Sequence, residues 1–398
     1  MSKDSAQIHV HSDFLSTEEI KILRRVSRDR GEKNVHVSQF ARFGKSGARL
    51  LLIYFAKRPR GVPYLLKVSK LDKAQEELEA IKKLRNQVAE SALALARDKV
   101  YGSGNEIGAL LYMHRGTSSH GLDAMEPVTF RQLVFCHPHF EEDRGFVARL
   151  NKKCFKTAEL AHFIEKVFDE LRNIHFDSKH RCITTQNHYT KYFRGHRSAK
   201  RIAQILGRKR TRRQFVFLGE RIMNPLKFLR ELPKKMVINQ GAIHGDLHPD
   251  NIVIDSDLMP HLIDFAWAAT HRDVLLDFVL LENSIRFWHF PAASDIEVQR
   301  IVDRVLLDEN GADQIMRIRF SDDRTAWYYK RLASLVSAIR QRARAALGED
   351  FAMSKYLMTQ FIVLYGLLRY DSYSPYVGTR ALGMIARRLH SRKDLKVK

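Results

Sequence analysis

The sequence predicts an α+β protein in two lobes, a small antiparallel β-rich lobe followed by a larger, mainly helical one. Three observations predict it. Residues 34–69 hold three β-rich runs separated by glycine- and proline-bearing turns. From about residue 155 onward, most apolar residues recur at helical spacing. That helical part is interrupted at 241–265 by two short apolar runs with a turn between them. The expected organisation is a helical extension at 1–30, a β-rich N-lobe at 31–116 and a helical C-lobe at 117–398.

A length of 398 residues with 44% hydrophobic residues supports a substantial core and excludes a globally disordered chain. Lys and Arg number 68 against 45 Asp and Glu, a formal charge of +23. Such a field attracts polyanions: nucleic acid, anionic membrane surfaces or phosphorylated small molecules. A basic, solvated surface with no dedicated partner is the plain alternative. Cys136, Cys154 and Cys182 are few, odd in number and widely spaced, which fits neither a disulfide framework nor a zinc site. Cys136-His137-x-His139 is broken by Pro138 and lacks a second ligand pair. The N-terminus has no apolar signal region, and no apolar run reaches the ~18 residues that span a bilayer. The expectation is a cytoplasmic protein with no membrane partner; the oligomeric state stays open.

In chain order, the first element is a helix. Ser16 and Thr17 are candidate caps, Glu18 and Glu19 fall in the first turn, and basic residues precede Gly31. The three β-rich runs then read as an antiparallel meander. Gly44-Lys-Ser-Gly47 and Lys57-Arg-Pro-Arg-Gly61 stand between them. Gly44-Lys45-Ser46 is not a P-loop, because Gln39 stands where the first glycine belongs and a strand follows instead of a helix. A hairpin whose Gly44, Ser46 and Gly47 let backbone approach phosphates is the functional reading, and a plain tight turn the structural one. Lys67 lies in the third run, before a helix-period stretch from Asp72 marked by Leu78, Ile81 and Leu84. A strand lysine aimed at phosphates needs a carboxylate to hold it. Glu77 is the first choice, with Glu76 and Glu79 as alternatives; taken singly, all of these are ordinary surface residues.

Gly102-Ser-Gly104 lacks the third glycine of a dinucleotide fingerprint, since position 107 is Ile. A further strand runs from Gly108, and 127–135 begins a helix. Residues 155–232 read as mainly helical, most clearly from Ala158 to Ile174. Within them, 188–214 carries ten Lys and Arg and no Asp or Glu, with Tyr189, Tyr192 and Phe193 interleaved. This stretch could bind nucleic-acid phosphates with aromatics for stacking, or be an exposed basic hairpin with no role. Residues 271–287 are apolar nearly all round and predict a buried helix, with Asp273 as a cap and Asp277 needing a partner inside. The remainder to 398 reads as helices, including 326–347 and 352–370.

The stretch at 241–265 carries the chemistry. His244-x-Asp246-x-x-x-x-Asn251 is followed on the second run by Asp264. One carboxylate to meet a hydroxyl, with an amide oxygen and a second carboxylate to hold Mg²⁺ against nucleotide phosphates, is a set suited to phosphoryl transfer. The order of parts resembles the protein-kinase-like fold. His244-Gly-Asp-Leu-His-Pro-Asp-Asn with Ile263-Asp-Phe looks specifically like the aminoglycoside and choline phosphotransferase superfamily, over residues 35–290. Gly44-Lys-Ser-Gly-Ala-Arg, Leu276-Asp-Phe and the long helical tail resemble a branch of kinase-like domains described as ternary-complex-associated and linked to bacterial conflict systems.

The resemblance implies roles. Asp246 would orient the acceptor hydroxyl and take its proton, Asn251 and Asp264 would hold Mg²⁺, and Lys67, steadied by Glu77, would bind the α- and β-phosphates of ATP. His244 would fix the loop, and His248 would do the same or face the substrate. Two departures stand out: the hairpin lacks the Gly-x-Gly-x-x-Gly of protein kinases, and Ala266 replaces the glycine of Asp-Phe-Gly. The implied function is ATP- and Mg²⁺-dependent phosphorylation of a small-molecule hydroxyl. The alternatives are the same chemistry on RNA or a nucleotide through 188–214, and a non-catalytic nucleotide-binding module in a defence system.

Overall fold

The computed structural model describes residues 7–10, 15–40, 48–55, 64–84, 99–104, 106–112, 128–134, 136, 155–176, 178–194, 196–255, 258–288 and 296–391. Gly44, Ser46, Gly47, the turn at 57–61 and the histidines at 137 and 139 lie outside these residues. The chain divides into two compact units. One comprises Met1–Phe155, Lys166–Ile174 and His244–Thr270; the other comprises Lys156–Glu165, His175–Ile243 and His271–Lys398.

The first unit holds a six-stranded sheet: β1 (Gln7–Val10), β2 (Asn34–Gln39), β3 (Arg49–Phe55), β4 (Tyr64–Lys70), β5 (Tyr101–Ser103) and β6 (Ile107–Tyr112), in the order β1-β2-β3-β4-β6-β5. All neighbours pair antiparallel except β1, which joins β2 in parallel. The expected meander is β2-β3-β4. Helix α1 (Thr17–Asp29) starts where its caps predict. Ser16 Oγ accepts from Glu19 N at 3.3 Å, and Glu19 Oε2 accepts from Ser16 N at 2.7 Å. Its Ile22, Leu23 and Val26 bury themselves with Val35, Val37, Leu51, Ile53, Leu66 and Val68. Successive strand residues point to opposite faces, so Lys67, between Leu66 and Val68, projects away from this core. Helix α2 (Leu71–Leu84) follows β4 without a loop. A second sheet orders Pro260–Leu262, Ile252–Ile254 and β7 (Val128–Thr129), the last leading into α3 (Phe130–Val134).

The second unit is mainly helical, with long helices at Asp323–Leu347, Met353–Leu367 and Pro375–Ser391. It departs from the sequence reading within 155–232. Lys179–Thr184 is a strand paired antiparallel with Lys235–Ile243, and Gln214–Phe217 with Glu220–Met223 form a hairpin. Lys179–Thr184 shows no apolar alternation because nearly all of it is exposed; its pairing with a strand far along the chain, not its own pattern, makes it extended. Nor is 188–214 a hairpin. It contains the helix Arg197–Leu206, which buries Ser198, Ile202 and Leu206 at a four-residue spacing.

The predicted buried helix is Leu275–Asn283, every residue of it buried, running on into a π-turn at Ser284–Trp288. Asp273 Oδ1 accepts from Leu275 N at 3.2 Å, and Asp277 finds His175 Nε2 at 3.1 Å. Glu282, fully buried, is met by Arg340 Nε and Nη2 (2.9 and 2.8 Å), Arg286 (2.8 Å), Tyr356 Oη (2.7 Å) and Gln360 Nε2 (2.8 Å). Asp303 bridges Arg286 and Arg380 at 3.0 and 3.1 Å. Burial alone would protonate Glu282, yet Arg340 and Arg286 outweigh it and lower its pKa to about 2. Among the described residues, no helix is long and apolar enough to cross a membrane.

The charge network sets an acid response. Glu282 has its pKa lowered on folding, so the unfolded chain binds the extra proton, and its contribution is complete above about pH 4.5 and is lost as the pH falls toward 2. His188 acts in the same direction from a higher pH. Burial and Arg272 lower its pKa to about 4 from 6.5, so protonation favours the unfolded chain across that window. Through these two groups urea midpoints should fall from pH 7 to pH 3, beginning near pH 6.5, against the opposite contribution of Glu77 and Asp273, whose carboxyl pKa values burial raises. Glu282→Ala, which leaves Arg340 buried without a carboxylate and Arg286 with Asp303 alone, should cost about 3–5 kcal/mol at pH 7.

Candidate active site

Lys67 occupies a central strand, opposite Leu50 of β3 and Leu110 of β6. Its Nζ lies 2.7 Å from Glu77 Oε2 on α2 and 2.7 Å from Asp264 Oδ1. The side chains of Lys67 and Glu77 are almost wholly buried, and that of Asp264 is 20% exposed. Tyr112 Oη donates to the other Glu77 oxygen. Burial works against the ammonium, but Glu77 and Asp264 outweigh it and raise the Lys67 pKa. Burial likewise opposes charge on Asp264, and Lys67 overcomes it, holding that carboxyl below its ordinary range. Glu77, the most buried of the three, goes the other way, since burial exceeds the pull of Lys67. Glu76 and Glu79 pair outward with Lys73 and Lys82, so of the three glutamates considered, Glu77 is the one that holds Lys67.

The segment from His244 to Phe265 carries the remaining groups. His244 is fully buried. Its Nε2 stands 3.0 Å from Ile263 O, its Nδ1 accepts from Asp246 N at 3.4 Å, and its ring lies 4.5 Å from that of Phe265. An Nε2–H tautomer satisfies both hydrogen bonds, so this histidine ties the two ends of the segment together. Asn251 Nδ2 donates to Asp246 O at 2.9 Å, and Ile263 N donates to Asn251 O at 3.0 Å. With its amide nitrogen used on the loop, Asn251 leaves Oδ1 as the free end. The Asp246 carboxylate is partly exposed and lies 3.7 Å from His248 Nε2. Asp264 has φ +65°, a left-handed conformation that costs a non-glycine residue energy and is concentrated at functional sites.

Lys67, Glu77 and Asp264 therefore meet directly, and His244, Asp246 and Asn251 are joined in one hydrogen-bonded loop. Among the described residues, no three His, Cys, Asp or Glu side chains converge as a metal cluster. Mg²⁺ bound against phosphates needs only one or two protein ligands of this kind. The Asn251 Oδ1 and Asp264 carboxylate fit that lighter requirement.

Three contributors escaped the sequence reading. Tyr112 is a tyrosine in an apolar strand, with nothing local to mark it. Gly245 has φ +79°, and a Cβ there would lie 2.2 Å from Trp267 O. Its position between His244 and Asp246 is the signal that could have found it. Trp267, three residues after Asp264, is 54% exposed, and its backbone fills the space Gly245 leaves.

Residues 167–365 match the family described as ternary complex associated domain 9. No curated protein sequence matches the chain. Among solved structures, it is similar to an aminoglycoside phosphotransferase, APH(4)-Ia, in a ternary complex with ADP and hygromycin B. That match has 12% identity, covers 81% of this chain and 99% of that one, and has a TM-score of 0.41. Choline kinase LicA from Streptococcus pneumoniae matches with 14% identity, 88% and 99% coverage and a TM-score of 0.34 in one structure that is not the AMP complex for which 89% and 98% are found.

Gly245 offers a test of the loop's construction. Gly245→Ala should cost about 1–3 kcal/mol for the left-handed backbone alone, and more for the collision with the Trp267 carbonyl. Gly104→Ala, at φ +63° with nothing within 4 Å of its added Cβ, isolates the first contribution. The urea midpoint of Gly245→Ala should fall well below that of Gly104→Ala, with an unchanged denaturant slope.

Proposed function

The chain belongs to the ternary complex associated domain 9 family, and we propose that it is an ATP- and Mg²⁺-dependent phosphotransferase that moves the γ-phosphoryl group to a hydroxyl of a small-molecule acceptor. One observation carries the reading: Lys67 is held charged in a central strand between Glu77 and Asp264, at 2.7 Å from each. A buried lysine on a strand, steadied by a helix glutamate and an aspartate just beyond a His-x-Asp-x-x-x-x-Asn loop, is an arrangement for positioning nucleotide phosphates.

The chain's own groups divide the work. Lys67 would donate to the α- and β-phosphate oxygens, and Glu77, locked by Tyr112, keeps its ammonium from swinging away. The carboxylate of Asp264 and Oδ1 of Asn251 would hold Mg²⁺, which when bound neutralises phosphate charge. Asp246 would accept the hydrogen bond of the acceptor hydroxyl, align its oxygen with the γ-phosphorus and take the proton as the new O–P bond forms and the γ-phosphorus parts from the bridging oxygen, which leaves with ADP. His244 fixes the Asp246 backbone through its Nδ1. The chemistry then rests on positioning and electrostatic stabilisation. Ala266, in place of the glycine of Asp-Phe-Gly, supports a small-molecule acceptor over protein-kinase-type switching. A cytoplasmic setting would supply the nucleotide.

Cell extract incubated with γ-labelled ATP and the protein should yield a labelled small molecule by mass spectrometry. Asp246→Asn should reduce its formation by about 10²–10⁴-fold while leaving the thermal stabilisation by ATP and Mg²⁺ in place. Lys67→Met should lose that stabilisation as well. Full turnover by Asp246→Asn would sink the assignment; stabilisation of the wild type without any labelled product would replace it with a nucleotide-binding module.

A further inference from the structure

The basic stretch takes no part in the phosphoryl-transfer site. No Asp or Glu occurs from 178 to 219. The structure sorts its cations. Arg197 pairs with Asp371, Arg201 is spent on the carbonyls of Leu368 and Tyr370, and Arg213 pairs with Glu231. The side chains of Lys200, Arg208, Arg210 and Arg212 are exposed and have no acidic partner among the described residues.

Two features show that these charges are presented and not merely tolerated. The helix Arg197–Leu206 turns Ser198, Ile202 and Leu206 inward, so Lys200 stands on its outer face. The turn that follows, Gly207–Thr211, is pinned by Asn224, a fully buried side chain. Asn224 Nδ2 donates to Arg210 O at 2.7 Å and Arg212 O at 3.0 Å, its backbone N donates to Arg213 O at 2.7 Å, and its Oδ1 caps the helix Pro225–Arg230. The spent carbonyls of Arg210, Arg212 and Arg213 leave the backbone at the end of the turn little freedom, and its arginine side chains stand on a fixed base.

We propose that this face binds the phosphate backbone of nucleic acid without reading its bases. The ten-residue helix is about 15 Å long, and a nucleic-acid strand carries a charge about every 3.4 Å, so the helix and its turn match a short row of phosphates. Tyr189 and Tyr192 are not available for base stacking, because both are buried, the first with its hydroxyl on Asp273 at 2.5 Å, while Phe193 is half-buried with its ring 6.3 Å from that of Tyr365. This corrects the expectation that they serve as stacking platforms. A bilayer surface is the poorer match, because the apolar side of the helix is already packed inside the unit and offers no anchor.

Binding of a fluorescent 20-base-pair duplex, followed by anisotropy from 50 to 200 mM KCl, tests the proposal. The triple variant Arg208→Ala, Arg210→Ala, Arg212→Ala should weaken binding and reduce the log–log salt slope by about 2–3, at roughly 0.9 per lost phosphate contact. A charge-matched control, Lys73→Ala, Lys82→Ala, Lys83→Ala on α2, should leave the slope where it was. Asn224→Ala, which frees the turn but keeps every charge, should weaken binding with little change in slope. Oligo-dT and oligo-dA should bind alike. A triple variant with the wild-type slope, a strong preference between the two oligonucleotides, or equally tight binding to phosphatidylglycerol vesicles through the same arginines would each overturn the proposal.

Discussion

The first unit depends on one buried ammonium. Lys67 stands in a central strand where its charge would be costly alone, and two carboxylates from separate parts of the chain make it tolerable. Replacing such a group by an apolar one is often neutral or better for stability, so burial of this kind is weak grounds for a purely structural role. The cost makes sense if the charge must be held at one point. The surroundings serve that end: Tyr112 fixes Glu77, the β3 and β6 neighbours fix the strand, and Asp264 accepts an unfavourable backbone angle to reach the lysine.

The second unit buries charge to a different end. Glu282 is saturated by five donors from two long helices and a neighbouring turn, and Asp303 extends the chain of pairs to Arg380. These pairs tie the helix Leu275–Asn283 to Asp323–Leu347 and Met353–Leu367, and Asp303 joins Arg286 to Pro375–Ser391. The same protein thus spends some of its arginines inside, as directional clamps, and leaves others outside along 200–212. A net charge of +23 does not distinguish these uses; only the positions of the carboxylates do.

Much of this could be read in the chain, and the parts that could not share a cause. The meander, the capping box at Ser16 and Glu19, the buried helix from Leu275 and the need of Asp277 for a partner are local: each rests on spacing within a few residues. The choice of Glu77 over Glu76 and Glu79 was available as a preference because a helix face and a strand lysine constrain each other. The partners themselves were not legible. His175 for Asp277, Tyr112 for Glu77, and Lys235–Ile243 for the strand Lys179–Thr184 are contacts across long sequence distances. Periodicity carries no information about them. The basic stretch failed in the opposite way: its composition was plain, but whether Tyr189 and Tyr192 face solvent depended on packing that composition does not encode.

The division of the chain has a consequence for how the protein is made. The polypeptide passes between the two units at 155/156, 165/166, 174/175, 243/244 and 270/271. Strands β1–β6 have all left the ribosome soon after residue 112, yet Asp264 follows roughly 200 residues behind Lys67, about 10–40 s at ordinary rates of synthesis. During that interval the nascent sheet holds its lysine with Glu77 alone, and the second unit is only part written. Neither half can be finished before the other has begun, so a chain stopped anywhere before 264 lacks the second carboxylate of Lys67 and leaves both units incomplete.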